Sequence, residues 1–403
     1  MAHIEDRWER TVDGKKVKSR RHGIAKRWRA RYLDPDGRER SQTFERRIDA
    51  ERFLAAIEGD KVHGTYIDPS AGDITVRAFA AEWLAAQHLA DTTRISYAGH
   101  LDRDILDRFG DIPLRLIRPT AVQGWVSSLA AEPRNLSPAT ATAVFRVFAI
   151  LMRAAVRDQL IARSPCEGVR TPTVRDRELE PEDLLTRDQV FAWDAAMPEL
   201  YRGAVLVAAA TGLRQGELLG LRIDGPDPDR AGRALRRVDL LRKEIRVVEQ
   251  IQTPPGGEPY YCSPKTAKGF RRIPIEGIAV AAIAAHLERQ PTLDGEPIFR
   301  TKEGRRFRRQ RFREVWAAAA KAAELPAGTH WHQLRDYYAS ALIAGGCDVK
   351  VVMERLGHAS AEETLRTYAR LWPDSDDRTR AAVTRALTVE PTTADDEARS
   401  HAR

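Results

Sequence analysis

The sequence predicts a mainly α-helical chain with small antiparallel β-sheets, divided into modules. Three observations carry this reading. At 403 residues the chain is longer than one core usually serves, so two or three domains are expected. A period-two run, Trp28-Arg29-Ala30-Arg31-Tyr32-Leu33, meets the turn signal Asp34-Pro35-Asp36-Gly37 and returns over 38–44, which predicts a β-hairpin. Most of the remaining apolar residues recur at helical spacing, and β-type residues concentrate in two later runs, 244–252 and 260–275.

The elements follow in order. After the hairpin, Ile48, Phe53, Leu54, Ile57 and Val62 lie at helical spacing, so 1–66 reads as a hairpin backed by one helix. Residues 67–75 (Ile67-Asp68-Pro69-Ser70-Ala71-Gly72-Asp73-Ile74-Thr75) read as a linker. A helical domain is expected over 74–170. Thr75 can cap a helix through Phe79, Trp83 and Leu84, and helices follow over 92–106, 120–129 and 137–158. The last opens on Ser137-Pro138, a start signal with proline in the first turn. The charged connector Val174-Arg175-Asp176-Arg177-Glu178-Leu179-Glu180-Pro181 then leads to a helix near Thr186. That boundary opens a mixed α+β domain over 183–390, in which the two β-type runs should form a small antiparallel sheet. Residues 391–403, with Thr392, Thr393, Asp395 and Asp396, lack apolar periodicity and are expected to be disordered.

Charge is clustered. From Arg7 to Arg31 stand eleven Lys or Arg against only Glu9 and Asp13, and a second basic run covers 300–311. Within a net charge of +8, such clusters suit a polyanion, because neutralising phosphates releases counterions. Cys166, Cys262 and Cys347 show no paired spacing, which argues against a disulfide framework or zinc knuckle and fits a reducing compartment. No apolar leader or run of about 18 apolar residues is evident, so no membrane and a cytoplasmic location are expected.

Four short stretches carry chemistry. They are Thr211-Gly212-Leu213-Arg214-Gln215-Gly216-Glu217-Leu218, Thr329-His330-Trp331-His332-Gln333-Leu334-Arg335, Leu356-Gly357-His358, and Thr364-Leu365-Arg366-Thr367-Tyr368-Ala369. Tyrosine attacks phosphorus poorly at neutral pH, because its phenol titrates near 10. Attack therefore needs positive charge around the phosphate and a route for the proton. Guanidiniums supply the charge as planar forks, and histidine can pass protons or donate a hydrogen bond. His330 and His332 also make a His-x-His pair, but no suitably placed acid or cysteine completes a metal ligand set.

In order, spacing and flanking residues these boxes resemble those of the tyrosine recombinases, the phage-integrase family of site-specific DNA recombinases. The resemblance implies that Arg214 and Arg335 clamp the phosphate, that His332 occupies the His-x-x-Arg box, and that His358 donates beside the phosphate. It implies that Tyr368 is the nucleophile, and that Lys265, on the β-type run with Lys268 as competitor, protonates the leaving 5′ oxygen. Glu217, one turn on from Arg214, is expected to hold that arginine. The three modules would be an arm-type DNA-binding module, a core-binding (SAM-like) domain and a catalytic domain. No metal or cofactor is implied, and no P-loop is present. The partners implied are double-stranded DNA attachment sites, a homo-tetramer on synapsed DNA, and accessory bending or directionality factors. The stretch 376–389, with Ala382, Val383, Ala386 and Leu387, would dock into a neighbouring protomer. A type IB topoisomerase and a DNA-binding regulator without catalysis are the rivals. The arm-like module disfavours the first and the complete residue set disfavours the second.

Overall fold

The computed structural model describes residues 2–372 except 13, 36, 64–65, 69, 174–178, 255, 265 and 294, and beyond them 380, 383–384 and 386–387. The expected docking stretch 376–389 lies largely outside these, and 391–403 wholly so. The chain forms two compact units, Met1–Val174 and Arg175–Arg403.

The first unit opens with β1 (His3–Asp6), the hairpin β2 (Glu9–Val12) and β3 (Lys15–Lys18), then β4 (Trp28–Leu33), β5 (Glu39–Phe44) and α1 (Arg47–Val62). Strands β4 and β5 pair antiparallel with Trp28 opposite Phe44, as the hairpin signal predicts. Tyr32, Ile57 and Tyr66 form a small core over which Phe53 and Leu54 pack. Sequence reading missed β1, β2 and β3. Strand β1 adds to the edge of β4, where Glu5 pairs with Arg29 and Arg31. Charge complementarity across strands leaves no hydrophobic alternation to read.

The helical block of this unit comprises α2 (Val76–Ala86), α3 (Asp91–His100), α4 (Leu106–Phe109), α5 (Pro119–Leu129) and α6 (Pro138–Arg157). The capping signals act as expected. Thr75 accepts from the Ala78 N–H at 3.3 Å and Ser137 from the Thr140 N–H at 3.2 Å. The helix expected over 92–106 is divided, with a wide π-type turn at Leu101–Ile105. Leu101, Ile105 and Phe109 are all buried across that turn. Helix α6 is long and apolar enough to cross a bilayer by composition. It is instead the core of this block, burying Val144, Phe148, Leu151 and Met152, with Phe148 stacked on Phe109 at 4.9 Å.

The second unit comprises α7 (Arg187–Ala196), α8 (Ala204–Thr211), α9 (Gln215–Leu219), β6 (Asp224–Pro226), β7 (Ala234–Arg236), β8 (Val238–Asp239), β9 (Glu244–Val247), β10 (Gln250–Gln252), β11 (Tyr260–Cys262), β12 (Arg271–Pro274), α10 (Gly277–Arg289), α11 (Arg309–Ala322), α12 (Gln333–Ala344), α13 (Val349–Leu356) and α14 (Ala361–Tyr368). The single sheet expected from 244–252 and 260–275 is two ladders, β8-β9-β12 and β10-β11. The break falls beside Glu249, whose carboxylate is held by the buried guanidiniums of Arg222 and Arg237.

Helix α8 is apolar on nearly every side and packs against α7, α10 and α12. Its N-terminus is held by buried Asp194, which accepts from the Gly203 N–H at 2.9 and 3.1 Å. Trp193, Phe312, Trp316 and Trp331 lock α7 and α11 to the turn before α12, and the Trp193 indole donates to the Trp316 carbonyl at 3.0 Å. This aromatic cluster fixes the turn from which α12 begins.

Candidate active site

Helix α8 ends at Gly212, in the left-handed region at φ 62°. A Cβ there would fall 2.4 Å from Cδ1 of Tyr338, so only glycine fits the turn. The chain reverses and Arg214 starts α9. Glu217 accepts from the Arg214 backbone N–H at 2.8 Å and from its guanidinium at 3.1 Å. The same carboxylate receives the fork of Arg271 at 2.9 and 2.7 Å. Burial pushes the Glu217 carboxyl up, but the Arg271 hydrogen bonds and the charges of Arg271 and Arg214 outweigh it and hold the group at about 2.

Helix α12 carries the next cluster. Buried Trp331 anchors the preceding turn, and the Gln333 side chain accepts from the His330 N–H at 2.9 Å. His332 is the N-cap, with its side chain 58% exposed. Arg335, only 2% exposed, donates to the Gly212 carbonyl at 2.8 Å and to the Leu356 carbonyl at 2.5 Å. One guanidinium thus ties the Arg214 turn to the His358 turn. Burial, then the charge of Arg214, pulls its pKa down to about 9, and it remains a cation at neutral pH. A buried cation crowded by a second gains from an incoming anion.

Helix α13 closes on Gly357 at φ 68°, where the Gly357 N–H reaches the Glu354 carbonyl and the His358 N–H reaches the Met353 carbonyl at 3.1 Å. This double bond pattern is a Schellman cap, and it projects His358 directly from the helix end. The Arg214 guanidinium reaches the Gly357 carbonyl at 3.4 Å, and Arg271 donates to the Arg355 carbonyl at 2.8 Å. His358 is buried, with Nδ1 2.9 Å from the Thr364 hydroxyl. Burial and then Arg335 lower its pKa to about 4, so the ring is neutral at pH 7.

That neutrality has a sign. Below the ordinary 6.5 the unfolded chain binds a proton that the folded chain refuses until about 4, so stability falls as pH drops through this window. We expect His358→Gln to flatten part of the loss of melting temperature between pH 7 and pH 4.5. Equal losses for variant and wild type would remove His358 as the source.

Helix α14 ends on Tyr368, whose ring lies parallel to His358 (interplanar 6°, centroids 6.3 Å apart). The phenol is 1% exposed and donates to Oδ1 of Asp336 at 2.8 Å. His332 Nε2 lies 4.0 Å from that same oxygen. Leu179 and Glu180 meet the end of α14 and the turn after it: the Leu179 N–H donates to the Thr367 carbonyl at 3.0 Å, and Glu180 pairs with Arg370.

Arg214, Glu217, Arg335, His358 and Tyr368 are therefore linked by hydrogen bonds and ring stacking, and His332 stands beside them. Lys265 lies outside the described residues. Its competitor Lys268 is exposed on the Ala267–Gly269 turn, whose Lys268 carbonyl lies against Gly357. Sequence reading missed Asp336, Thr364 and Arg271. Asp336 had a signal, a carboxylate four residues after His332 in a basic box, whereas Arg271 meets Glu217 only through the fold.

The phage integrase family profile matches residues 183–374, which span this whole constellation. The family's N-terminal domain profile matches 21–62 and its N-terminal SAM-like domain profile matches 75–130. The chain belongs to the phage integrase family. The integrase of Mycobacterium phage L5 is 26% identical to this family member over 363 residues, covering 87% of this chain and 92% of that one. Solved structures share the fold. The Tn1549 transposon integrase in complex with a circular intermediate DNA superposes with a TM-score of 0.61 at 21% identity, over 78% of this chain and 100% of that one. A lambda integrase tetramer bound to a Holliday junction gives 0.52 at 18% identity, over 83% and 94%. The mainly α fold with small antiparallel sheets is thus that of the tyrosine recombinases.

Proposed function

We propose that this chain is a site-specific tyrosine recombinase that integrates and excises a mobile element through a covalent 3′-phosphotyrosine at Tyr368. The observation that carries the reading is the buried phenol, fixed beside Arg335 and His358 in a network that also holds Arg214. Those two guanidiniums supply fixed positive charge for the non-bridging phosphate oxygens, where charge concentrates in the transition state. Neutral His358 offers a ring N–H to the same oxygens. The ester keeps the energy of the broken bond, so rejoining needs no nucleotide. Lys265 is proposed as the proton donor to the 5′ oxygen, and Glu217 as the group that orients Arg214.

Double-stranded attachment sites are the proposed substrate, with four copies acting on a synapsed pair, helped by bending or directionality factors; the lambda integrase tetramer bound to a Holliday junction supports the count of four. The test uses full-length protein and nicked suicide DNA carrying the junction sequence of its own element. A covalent protein–DNA adduct is expected, and paired sites should recombine. No adduct would sink the reading, and relaxation of supercoils without recombination would make the chain a topoisomerase. The basic 1–66 module is proposed to grip separate arm sites. Deleting 1–66 should impair integration far more than cleavage of a core site. Unchanged integration on full-length attachment DNA would remove the arm role.

A further inference from the structure

The phenol of Tyr368 is already paired with a carboxylate that the recombinase boxes do not include. We propose that Asp336 is the base that takes the phenolic proton during attack and returns it when the strand is resealed. This rests on Tyr368 being the nucleophile. The Oη to Oδ1 distance of 2.8 Å is within direct reach of a general base. Asp336 is 2% exposed and anchored on α12, the helix that also fixes Arg335, so the acceptor is held rather than free to rotate into solvent. His332 Nε2, 4.0 Å from the same oxygen, belongs to a side chain 58% exposed against 3% for Asp336. That places the carboxylate at the buried phenol and the imidazole toward solvent, as the next carrier.

An aspartate is a weak base towards a resting phenol, whose pKa is near 10. Transfer becomes favourable as the Oη–P bond forms, because bonding to phosphorus makes the phenolic proton strongly acidic. The atoms balance as follows. The Tyr368 O–H bond breaks and its proton goes to Asp336, while its electron pair forms the Oη–P bond. The P–O5′ bond breaks, and the 5′ oxygen leaves as a hydroxyl with a proton from a protonated amine or imidazole of the site. Proton return from Asp336 to that donor, by way of His332, resets the charges. Resealing runs the same transfers backwards.

The test compares wild type, Asp336→Asn and Asp336→Glu in full-length protein. The DNA is a suicide substrate with either an ordinary phosphate or a 5′-bridging phosphorothiolate, whose thiolate leaves without a proton. Asparagine keeps an acceptor for the phenol and removes the base. Asp336→Asn should bind DNA and melt like wild type but form adduct about 10²–10⁴-fold more slowly on both substrates. Asp336→Glu should be at least about 10-fold faster than Asp336→Asn, because a carboxylate is restored. A rate for Asp336→Asn near wild type would overturn the proposal, leaving the carboxylate as a mere hydrogen-bond acceptor. Rescue of Asp336→Asn by the phosphorothiolate would overturn it too, by placing the defect at the leaving group. A glutamate variant no faster than the asparagine one has the same consequence, also where asparagine lowers the melting temperature. Absence of adduct with wild type is a different failure, since it removes the nucleophile reading itself.

Discussion

Tyr368→Phe is expected to abolish the covalent adduct on suicide DNA while leaving DNA binding at the wild-type level. The substitution removes one oxygen from a side chain that is 1% exposed and stacked on His358, so the packing that positions α14 survives. Asp336 then loses the phenol's hydrogen bond while buried. The cost of such an unmet acceptor is about 1–3 kcal/mol, visible as a lower melting temperature. The two readouts separate chemistry from stability: a folded, DNA-binding variant that still forms adduct would show that another residue attacks. Tyr337 and Tyr338, on α12, would be examined first.

The second large effect is expected at Glu217. Its carboxylate receives the backbone and side chain of Arg214 and both arms of Arg271, and it is 3% exposed. Glu217→Leu leaves the Arg271 guanidinium buried with only the Arg355 and Gly269 carbonyls to meet it. Removing one partner of a buried pair typically costs about 3–5 kcal/mol, read here as a drop in the urea midpoint of the second unit. Replacing both, as Glu217→Leu with Arg271→Met, removes the stranded charge and should regain much of that stability. It should not regain cleavage, since Arg214 stays without its holder. Recovery of both would mean that Glu217 matters only for folding. The carboxyl is held at about 2 against an ordinary 4.5, so its contribution is complete above that ordinary value and fades as pH falls towards 2.

Much of this molecule is legible in the chain because the signals are local. Thr75, Ser137 and Thr186 each cap the helix they announce, and the 28–44 hairpin forms with its expected partners. The site boxes are legible for a related reason: each sits at the start or end of a helix with its adjoining turn, complete within about eight residues. What joins them is not local. Arg335 reaches carbonyls 123 and 21 residues away, and Arg271 meets Glu217 across 54. Nothing in the spacing of a sequence encodes such pairings. Asp336 carried only a local hint, its place four residues after His332. Its meaning depends on which ring α14 delivers to it. The strands β1 to β3 escaped because each is four residues long and mostly polar, which leaves little hydrophobic alternation to read.

The bond between the Leu179 N–H and the Thr367 carbonyl has a mechanical consequence. It lies one residue from Tyr368, and it is made at Leu179, near the start of the second unit. A backbone-to-backbone bond at a helix end satisfies a carbonyl that the helix itself leaves unpaired. The Leu179 backbone therefore helps hold the end of α14, and with it the position of Tyr368, independently of the side chains on either partner.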